Sequence, residues 1–183
     1  MVGFGLWKIP QDQAADAAYN AIKAGYRLLD SAACYANEVQ VGQGIKRAID
    51  EGIVTRADLF ITTKLWGTFH RPEHVEPALQ RSLDDLGLDY VDLYHIHWPI
   101  AVKYVPFDVK YPADWPNPET GVMEPDYGVS YHQTYAAMEA VHKKGLIRNI
   151  GVSNVQTNMI HQILTYAEIK PACLQVELHP YLQ

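Results

Sequence analysis

The sequence is poor in cysteine, in long apolar runs and in clustered positive charge. Its two cysteines, Cys34 and Cys173, are distant and form no C-x-x-C pair, which argues against a disulfide framework. No stretch approaches the roughly 20 apolar residues of a membrane helix, and the start of the chain has no signal-peptide pattern. The formal net charge is −6 and the basic residues are scattered, which argues against a nucleic-acid-binding surface. We therefore expect a cytoplasmic protein with reduced thiols and with neither a membrane nor a nucleic acid as partner.

Helical and strand patterns alternate along the 183 residues, of which 48% are hydrophobic. Apolar residues at helical spacing, bounded by glycine or proline, predict helices over 16–24, 41–51, 72–86, 131–144 and 158–166. Short apolar runs between them predict strands over 2–7, 26–30, 59–65, 90–98, 147–152 and 172–178. The second, third and fourth strands begin roughly thirty residues apart, which is the length of a βα unit. This order predicts one domain over residues 1–183, with a parallel sheet covered by helices.

A missing glycine-rich turn helps to distinguish a barrel from a doubly wound sheet. A doubly wound nucleotide-binding sheet carries a glycine-rich phosphate turn after its first strand. Gly3-Phe4-Gly5 lacks the third glycine and leads to no immediate helix. A barrel instead gathers catalytic residues from several strands around one mouth. We predict an α/β fold of the (β/α)8 TIM-barrel type, here incomplete, with about six βα units and without the C-terminal part.

Four polar side chains lie where apolar runs stop. Asp30, Lys64 and His97 come at or near the ends of three predicted strands, and Tyr35 follows Asp30 closely. If the strands are parallel, these residues meet at the carboxyl edge of the sheet. A lysine ammonium close to a phenol favours the phenolate, so we expect the pKa of Tyr35 to be lowered and Asp30 to keep Lys64 charged.

Such a phenol can protonate a developing alkoxide while His97 donates a hydrogen bond to the same oxygen. That is half of a carbonyl reduction. The other half is a hydride, which no side chain supplies, so the residues imply a nicotinamide cofactor. Each residue also has a plainer interpretation. Asp30 and Lys64 fit a buried salt bridge, Tyr35 a packing residue and His97 a strand-capping histidine, but all four together at one mouth favour a site.

His95 and His97 form a second constellation. Residues two apart on a strand face the same side, so both imidazoles could bind one metal ion, as in metal-dependent hydrolases. His179 is the one obvious further ligand. We keep this as a minor alternative and expect no metal; for His95 itself we expect a hydrogen-bonded core histidine.

Several further segments follow in a fixed order and resemble the aldo-keto reductase family over nearly the whole chain. Leu29-Asp30-Ser31-Ala32-Ala33-Cys34-Tyr35 with Asn37-Glu38 is similar to the D-x-A-x-x-Y-x-N-E signature of that family. The other matching segments are Gly3 to Lys8, Thr62-Thr63-Lys64-Leu65-Trp66, His97-Trp98-Pro99, Ile150-Gly151-Val152-Ser153-Asn154, and Gln175-Val176-Glu177 with His179-Pro180-Tyr181.

The resemblance implies roles for individual residues. Tyr35 would be the general acid, Lys64 and Asp30 its tuning pair, and His97 the residue that orients the substrate. The nicotinamide carboxamide would be held by Ser153, Asn154 and Gln175, and the substrate pocket would be lined by Trp7 and Trp98. NADPH is the implied cofactor, with NADH as the alternative.

The loop over 100–112 looks most like that of fungal-type xylose (aldose) reductases, which points to an aldehyde or aldose reduced to its alcohol. Trp98 departs from the Phe that xylose reductases often carry, and His95 from an apolar residue such as leucine. The family fold also serves as a cofactor-sensing subunit of potassium channels, a non-catalytic alternative that the reductase-like loop disfavours. We expect a small-molecule carbonyl substrate and a monomer or dimer; whether an incomplete barrel is active stays open.

Overall fold

Six parallel strands form one sheet in the order in which they occur along the chain. The structure, a computed structural model, describes residues 2–182, and in that part the strands are β1 Gly3–Gly5, β2 Leu28–Asp30, β3 Phe60–Leu65, β4 Leu93–Ile96, β5 Ile150–Ser153 and β6 Cys173–Gln175. Every neighbouring pair is parallel. A doubly wound sheet reverses its strand order, whereas a barrel keeps it sequential. The barrel prediction agrees with the observed order.

Five helices connect consecutive strands. They are α1 Gln11–Lys23, α2 Glu38–Asp50, α3 Pro72–Leu86, α4 Tyr131–Lys143 and α5 Thr157–Tyr166. Two of them begin three or more residues earlier than the sequence pattern predicts. Helix α1 starts directly after Pro10, five residues before Asp16, and α2 starts at Glu38 rather than at Val41. The first turn of α1 is mostly polar, and α2 opens on the buried Glu38, so apolar periodicity alone does not reveal where these helices begin. No helix in residues 2–182 is long and apolar enough to cross a membrane.

The strands are shorter than predicted, because several strand-like residues find no ladder partner. Strand β4 covers Leu93–Ile96 only, whereas the prediction was 90–98. Val91 makes an isolated bridge to Ile147, and the amide of His97 donates to the carbonyl of Leu65 at 3.1 Å. Apolar runs mark burial, and burial extends past the hydrogen-bonded ladder at both ends.

The register places the polar site residues on the inner face of the sheet. Lys64 pairs with His95, and His95 pairs with Gly151. Because side chains alternate between faces, His97, two residues after His95, also points inward. Ser153, two residues after Gly151, faces inward with its partner Gln175. The intervening residues face the helices, and they include fully buried apolar side chains of the core: Leu29, Ile61, Ile96 and Val152.

A long segment between β4 and α4 folds back over the carboxyl edge of the sheet. Val102 forms an isolated antiparallel bridge with Pro125, and Arg71 pairs with Asp126. The segment packs on the sheet edge through aromatic rings, since the rings of Phe69 and Phe107 lie 5.2 Å apart. The segment covers residues 97–130 and contains the loop over 100–112 that the sequence analysis compared with xylose reductases.

Candidate active site

Lys64 is the centre of the polar cluster at the carboxyl edge of the sheet. Its Nζ donates to the hydroxyl of Tyr35 at 2.9 Å, to Oδ1 of Asp30 at 2.9 Å and to the backbone carbonyl of Ser31 at 2.7 Å. The side chain of Lys64 is completely buried. An ammonium group has three protons, and here each has one acceptor. The arrangement therefore fits a charged lysine held in a fixed position.

A short 3-10 helix over Ala33–Tyr35 places Tyr35 above Lys64. It ends at Ala36, whose φ of 58° lies in the left-handed region. The next residue, Asn37, is fully buried, and its side-chain amide donates to the carbonyls of Leu6 and Ile9, each at 3.0 Å. Asn37 thus ties the loop that carries Tyr35 to the segment after β1, a role that the sequence analysis did not assign.

The pKa of Tyr35 is the point at which the structure corrects the sequence analysis. Burial raises the pKa of the phenol above its ordinary value, and the carboxylate of Asp30 raises it further. The prediction that this pKa is lowered is therefore wrong. The loss of hydration outweighs the nearby ammonium. Tyr35 holds its proton at neutral pH, which is the form that a proton donor needs.

His97 and Lys64 respond to the same burial. Burial, with the charge of Lys64 second, lowers the pKa of His97 to about 3, so the imidazole is neutral at physiological pH. Burial also lowers the pKa of Lys64, while Asp30 acts in the opposite direction. The ring of His97 meets the ring of Tyr35 edge-on, with centroids 5.9 Å apart. A neutral imidazole beside the phenol can orient a substrate oxygen without changing protonation state.

The three side chains predicted to hold a carboxamide lie together across the sheet edge. Ser153 donates its hydroxyl to the carbonyl of Gln175 at 2.8 Å. Asn154, with a φ of 57°, donates its amide to the carbonyl of His97 at 2.8 Å. The strand ends carrying these residues are therefore cross-linked to the strand that carries His97.

One cleft of about 380 Å³ joins these groups. It is lined by seven of the nine residues that the sequence analysis singled out: Trp7, Tyr35, His97, Trp98, Ser153, Asn154 and Gln175. Asp30 and Lys64 do not line it; Lys64 contacts the hydroxyl of the cleft-lining Tyr35, and Asp30 pairs with Lys64. The structure therefore brings the predicted residues together in two layers.

Two further tryptophans complete the wall of the cleft, and the sequence analysis missed both as site residues. The rings of Trp66 and Trp115 lie 4.6 Å apart, and Trp115 also meets Trp98 with centroids 5.8 Å apart. Trp66 was quoted within a motif without a role. Trp115 belongs to the long segment between β4 and α4. The aromatic residues of that segment suggested packing near the site, but a segment without regular structure has no periodicity from which the position of Trp115 could be predicted.

His95 lies one layer below His97 and is 1% exposed. Neither of its ring nitrogens has a hydrogen-bond partner among residues 2–182. The expectation of a core histidine agrees with this burial. The expected hydrogen bond is not formed with good geometry, although the backbone of Val152 acts on the ring and raises its pKa slightly against the effect of burial. In the same part of the chain no three His, Cys, Asp or Glu side chains cluster as metal ligands, and His179 contacts Glu177 instead.

The fold and this cleft define a barrel-type α/β protein with its site at the carboxyl edge of the strands. The aldo/keto reductase family model matches residues 1–183. The chain belongs to the aldo/keto reductase family, as its motifs indicated.

Curated relatives from fungi match over the full length of this chain. It is 52% identical to a probable NAD(P)H-dependent D-xylose reductase from Arthroderma otae, covering 100% of this chain and 55% of the relative. Identity is 50% to an NADPH-dependent aldose reductase from Saccharomyces cerevisiae, covering 100% of this chain and 57% of the relative. The chain therefore spans little more than half the length of these relatives.

Solved structures agree with the fold. An aldose reductase from Schistosoma japonicum superimposes with a TM-score of 0.88 at 39% identity, covering 97% of this chain and 56% of that one. A Bombyx mori aldo-keto reductase in complex with NADP gives a TM-score of 0.84 at 42% identity, covering 97% of this chain and 54% of that one. The predicted (β/α)8 class is confirmed, and the described residues hold six of its parallel strands.

Proposed function

We propose that the chain carries the site for NAD(P)H-dependent reduction of an aldehyde or aldose to its alcohol. The observation that carries the proposal is the hydrogen bond from buried Lys64 to the hydroxyl of Tyr35 at the edge of the tryptophan-lined cleft. It couples a protonated phenol to a fixed positive charge. The similarity to D-xylose and aldose reductases supports the same reaction.

Tyr35 is the proposed general acid. As a hydride adds to the carbonyl carbon, the O–H bond of Tyr35 breaks and its proton passes to the carbonyl oxygen. The products are the alcohol and the phenolate of Tyr35. The ammonium of Lys64, 2.9 Å from that oxygen, stabilises the phenolate as it forms. Asp30 holds Lys64 in place, and neutral His97 donates a hydrogen bond to the same carbonyl oxygen.

The far side of the cleft fits a nicotinamide carboxamide. Ser153, Asn154 and Gln175 present hydroxyl and amide groups, which both donate and accept hydrogen bonds, as a carboxamide requires. We propose that these three residues hold it, with NADPH as the cofactor and NADH as the alternative. When bound, the cofactor supplies the hydride that the side chains cannot.

The proposed substrate is a small aldehyde or an open-chain aldose such as D-xylose. Trp7 and Trp98 line the cleft and offer flat apolar faces to a carbon chain, and Trp66 and Trp115 extend this wall. With both cysteines free, we propose the cytoplasm as the place of action.

The proposal is tested by incubating the protein with D-xylose and NADPH and identifying the product by chromatography. Formation of the alditol with equal consumption of NADPH is expected, and NADH in place of NADPH measures cofactor preference. Lys46→Met, which removes an exposed lysine paired with Asp50, should match the unmodified protein. The proposal would be contradicted if neither cofactor gave the alditol from D-xylose or the corresponding alcohols from a panel of simple aldehydes.

A further inference from the structure

Cys34 and Tyr35 are adjacent in the 3-10 helix and reach two different parts of the site. The hydroxyl of Tyr35 accepts from Lys64, whereas Sγ of Cys34 lies 3.5 Å from Nδ1 of His97. Both side chains line the same cleft. The same turn of backbone therefore contacts Lys64 through Tyr35 and His97 through Cys34. These two contacts hold the phenol and the imidazole at a fixed separation.

The contact between Cys34 and His97 joins two neutral groups. Burial raises the pKa of the Cys34 thiol to about 12, so the sulfur carries its proton at neutral pH. The imidazole of His97 is neutral as well, so it has one N–H donor and one nitrogen acceptor. Either the thiol donates to Nδ1, or Nδ1 carries the hydrogen and donates to sulfur.

Two features favour the thiol as donor. Sulfur is a weak acceptor, whereas an unprotonated imidazole nitrogen is a good one. The other ring nitrogen, Nε2, makes no hydrogen bond within residues 2–182. It is not one of the fully buried polar atoms that lack a partner there, so it remains accessible from the cleft. A proton on Nε2 is therefore free to meet a ligand in the cleft, whereas a proton on Nδ1 would face the sulfur.

We propose that Cys34 is a positioning residue: its thiol donates to Nδ1 of His97 and holds the ring as the Nε2–H tautomer. The neighbouring aromatic rings cannot do this. Trp66 and Tyr35 meet the imidazole edge-on and fix its plane, but neither makes a hydrogen bond to Nδ1. The thiol is the group in residues 2–182 that distinguishes the two nitrogens.

The consequence for catalysis rests on the proposed function. In carbonyl reduction, the Nε2–H of His97 is the bond that can reach the substrate oxygen, and an Nδ1–H ring would present a lone pair that repels it. Cys34 would then set the fraction of molecules in which His97 can orient the substrate. It neither gains nor loses a proton overall in the reaction.

Nitrogen NMR of the imidazole rings in the uniformly ¹⁵N-labelled protein tests the tautomer without any need for activity. Correlations from ring carbon protons to both nitrogens should show Nε2 protonated and Nδ1 unprotonated, and His97→Gln assigns the signals. Cys34→Ala should change the tautomer ratio roughly two- to tenfold, the size expected for one lost hydrogen bond. Cys34→Ser, which keeps a donor, should preserve the ratio, and Cys173→Ala is the matched cysteine control.

A proton on Nδ1 in the unmodified protein, or an unchanged ratio in Cys34→Ala, would overturn the proposal. The first of these results does not depend on whether the variants fold. A steady-state arm separates the proposal from the proposed function. Cys34→Ala should lower kcat more than it changes KM, and Cys34→Ser should restore it. If the unmodified protein has no reductase activity, the proposed function fails while the NMR result still decides the tautomer.

Discussion

At the residue scale, the buried Lys64 connects Tyr35, the proposed proton donor, to the rest of the fold. Its three protons have three acceptors, two of which belong to Asp30 and Tyr35. Removing one partner of such a buried group leaves the others unsatisfied. The same lysine therefore fixes the position of the phenol and supplies the charge that its conjugate base needs.

Replacing Lys64 by Met should abolish most of the proposed reduction while the fold is kept. Methionine fills a similar volume but cannot stabilise a phenolate, so we expect kcat to fall by about 10²-fold or more. NADPH consumption measures the loss, and circular dichroism checks the fold. Activity within a few-fold of the unmodified protein would show that the phenolate does not need this ammonium.

His95 gives a second prediction at this scale. Its ring is buried with both nitrogens unpartnered within residues 2–182, and burial with the charge of Lys64 lowers its pKa to about 4, so the ring is neutral. Replacing an unsatisfied buried polar group by an apolar one of similar size removes a desolvation cost. We expect His95→Leu to raise the free energy of unfolding by about 1 to 3 kcal/mol.

Urea unfolding of His95→Leu measures this gain, and His161→Leu, at an exposed position of α5, is the control. The unmodified ring also excludes a side chain at Gly151, where a Cβ would collide with it. A loss of stability in His95→Leu would mean that the ring nitrogens bind a buried water or another group.

At the element scale, Glu38 ties α2 to two neighbouring elements. Its carboxylate accepts from the hydroxyl of Thr63 in β3 and from the hydroxyl of Ser82 in α3 at 2.8 Å. Burial raises the pKa of Glu38 from 4.5 to about 7. The folded state therefore holds a proton that the unfolded chain releases.

The stabilisation from Glu38 should be fully present below pH 4.5 and be lost as the pH rises through about 7. The shift corresponds to about 3 kcal/mol. Glu38→Gln mimics the protonated form and does not titrate, so the stability of the unmodified protein relative to this variant should fall by that amount over the window. Denaturant unfolding at several pH values measures it, and a constant difference would contradict the assignment.

The elements also show what a sequence can and cannot predict. The existence and order of the strands follow from short apolar runs, and the convergence of Asp30, Tyr35 and Lys64 follows from their positions at the strand ends. The start of α1 could not be predicted, because its first turn is mostly polar and shows no apolar periodicity. The contact between Cys34 and His97 joins residues 63 positions apart in the chain, which no local pattern predicts. Burial, which raises the pKa of Tyr35, depends on the packing of the folded loop.

At the scale of the whole molecule, the sheet brings together the side that we propose donates the proton and the side that we propose holds the carboxamide. Each side is built from a different set of strands: β2, β3 and β4 carry the first, and β5 and β6 carry the second. All four tryptophans of the chain line the cleft between them. Their fluorescence, excited at wavelengths that tyrosine does not absorb, therefore reports on the site.

The most direct measurement of the central claim is the comparison of Tyr35→Phe with the unmodified protein by two readouts. Quenching of tryptophan fluorescence by NADPH measures binding, and NADPH consumption with D-xylose measures reduction. Tyr127→Phe, at a side chain 93% exposed, is the matched control. We predict that Tyr35→Phe binds NADPH as the control does but reduces the sugar at least about 10²-fold more slowly. Reduction at the rate of the control would contradict the assignment of Tyr35 as the proton donor.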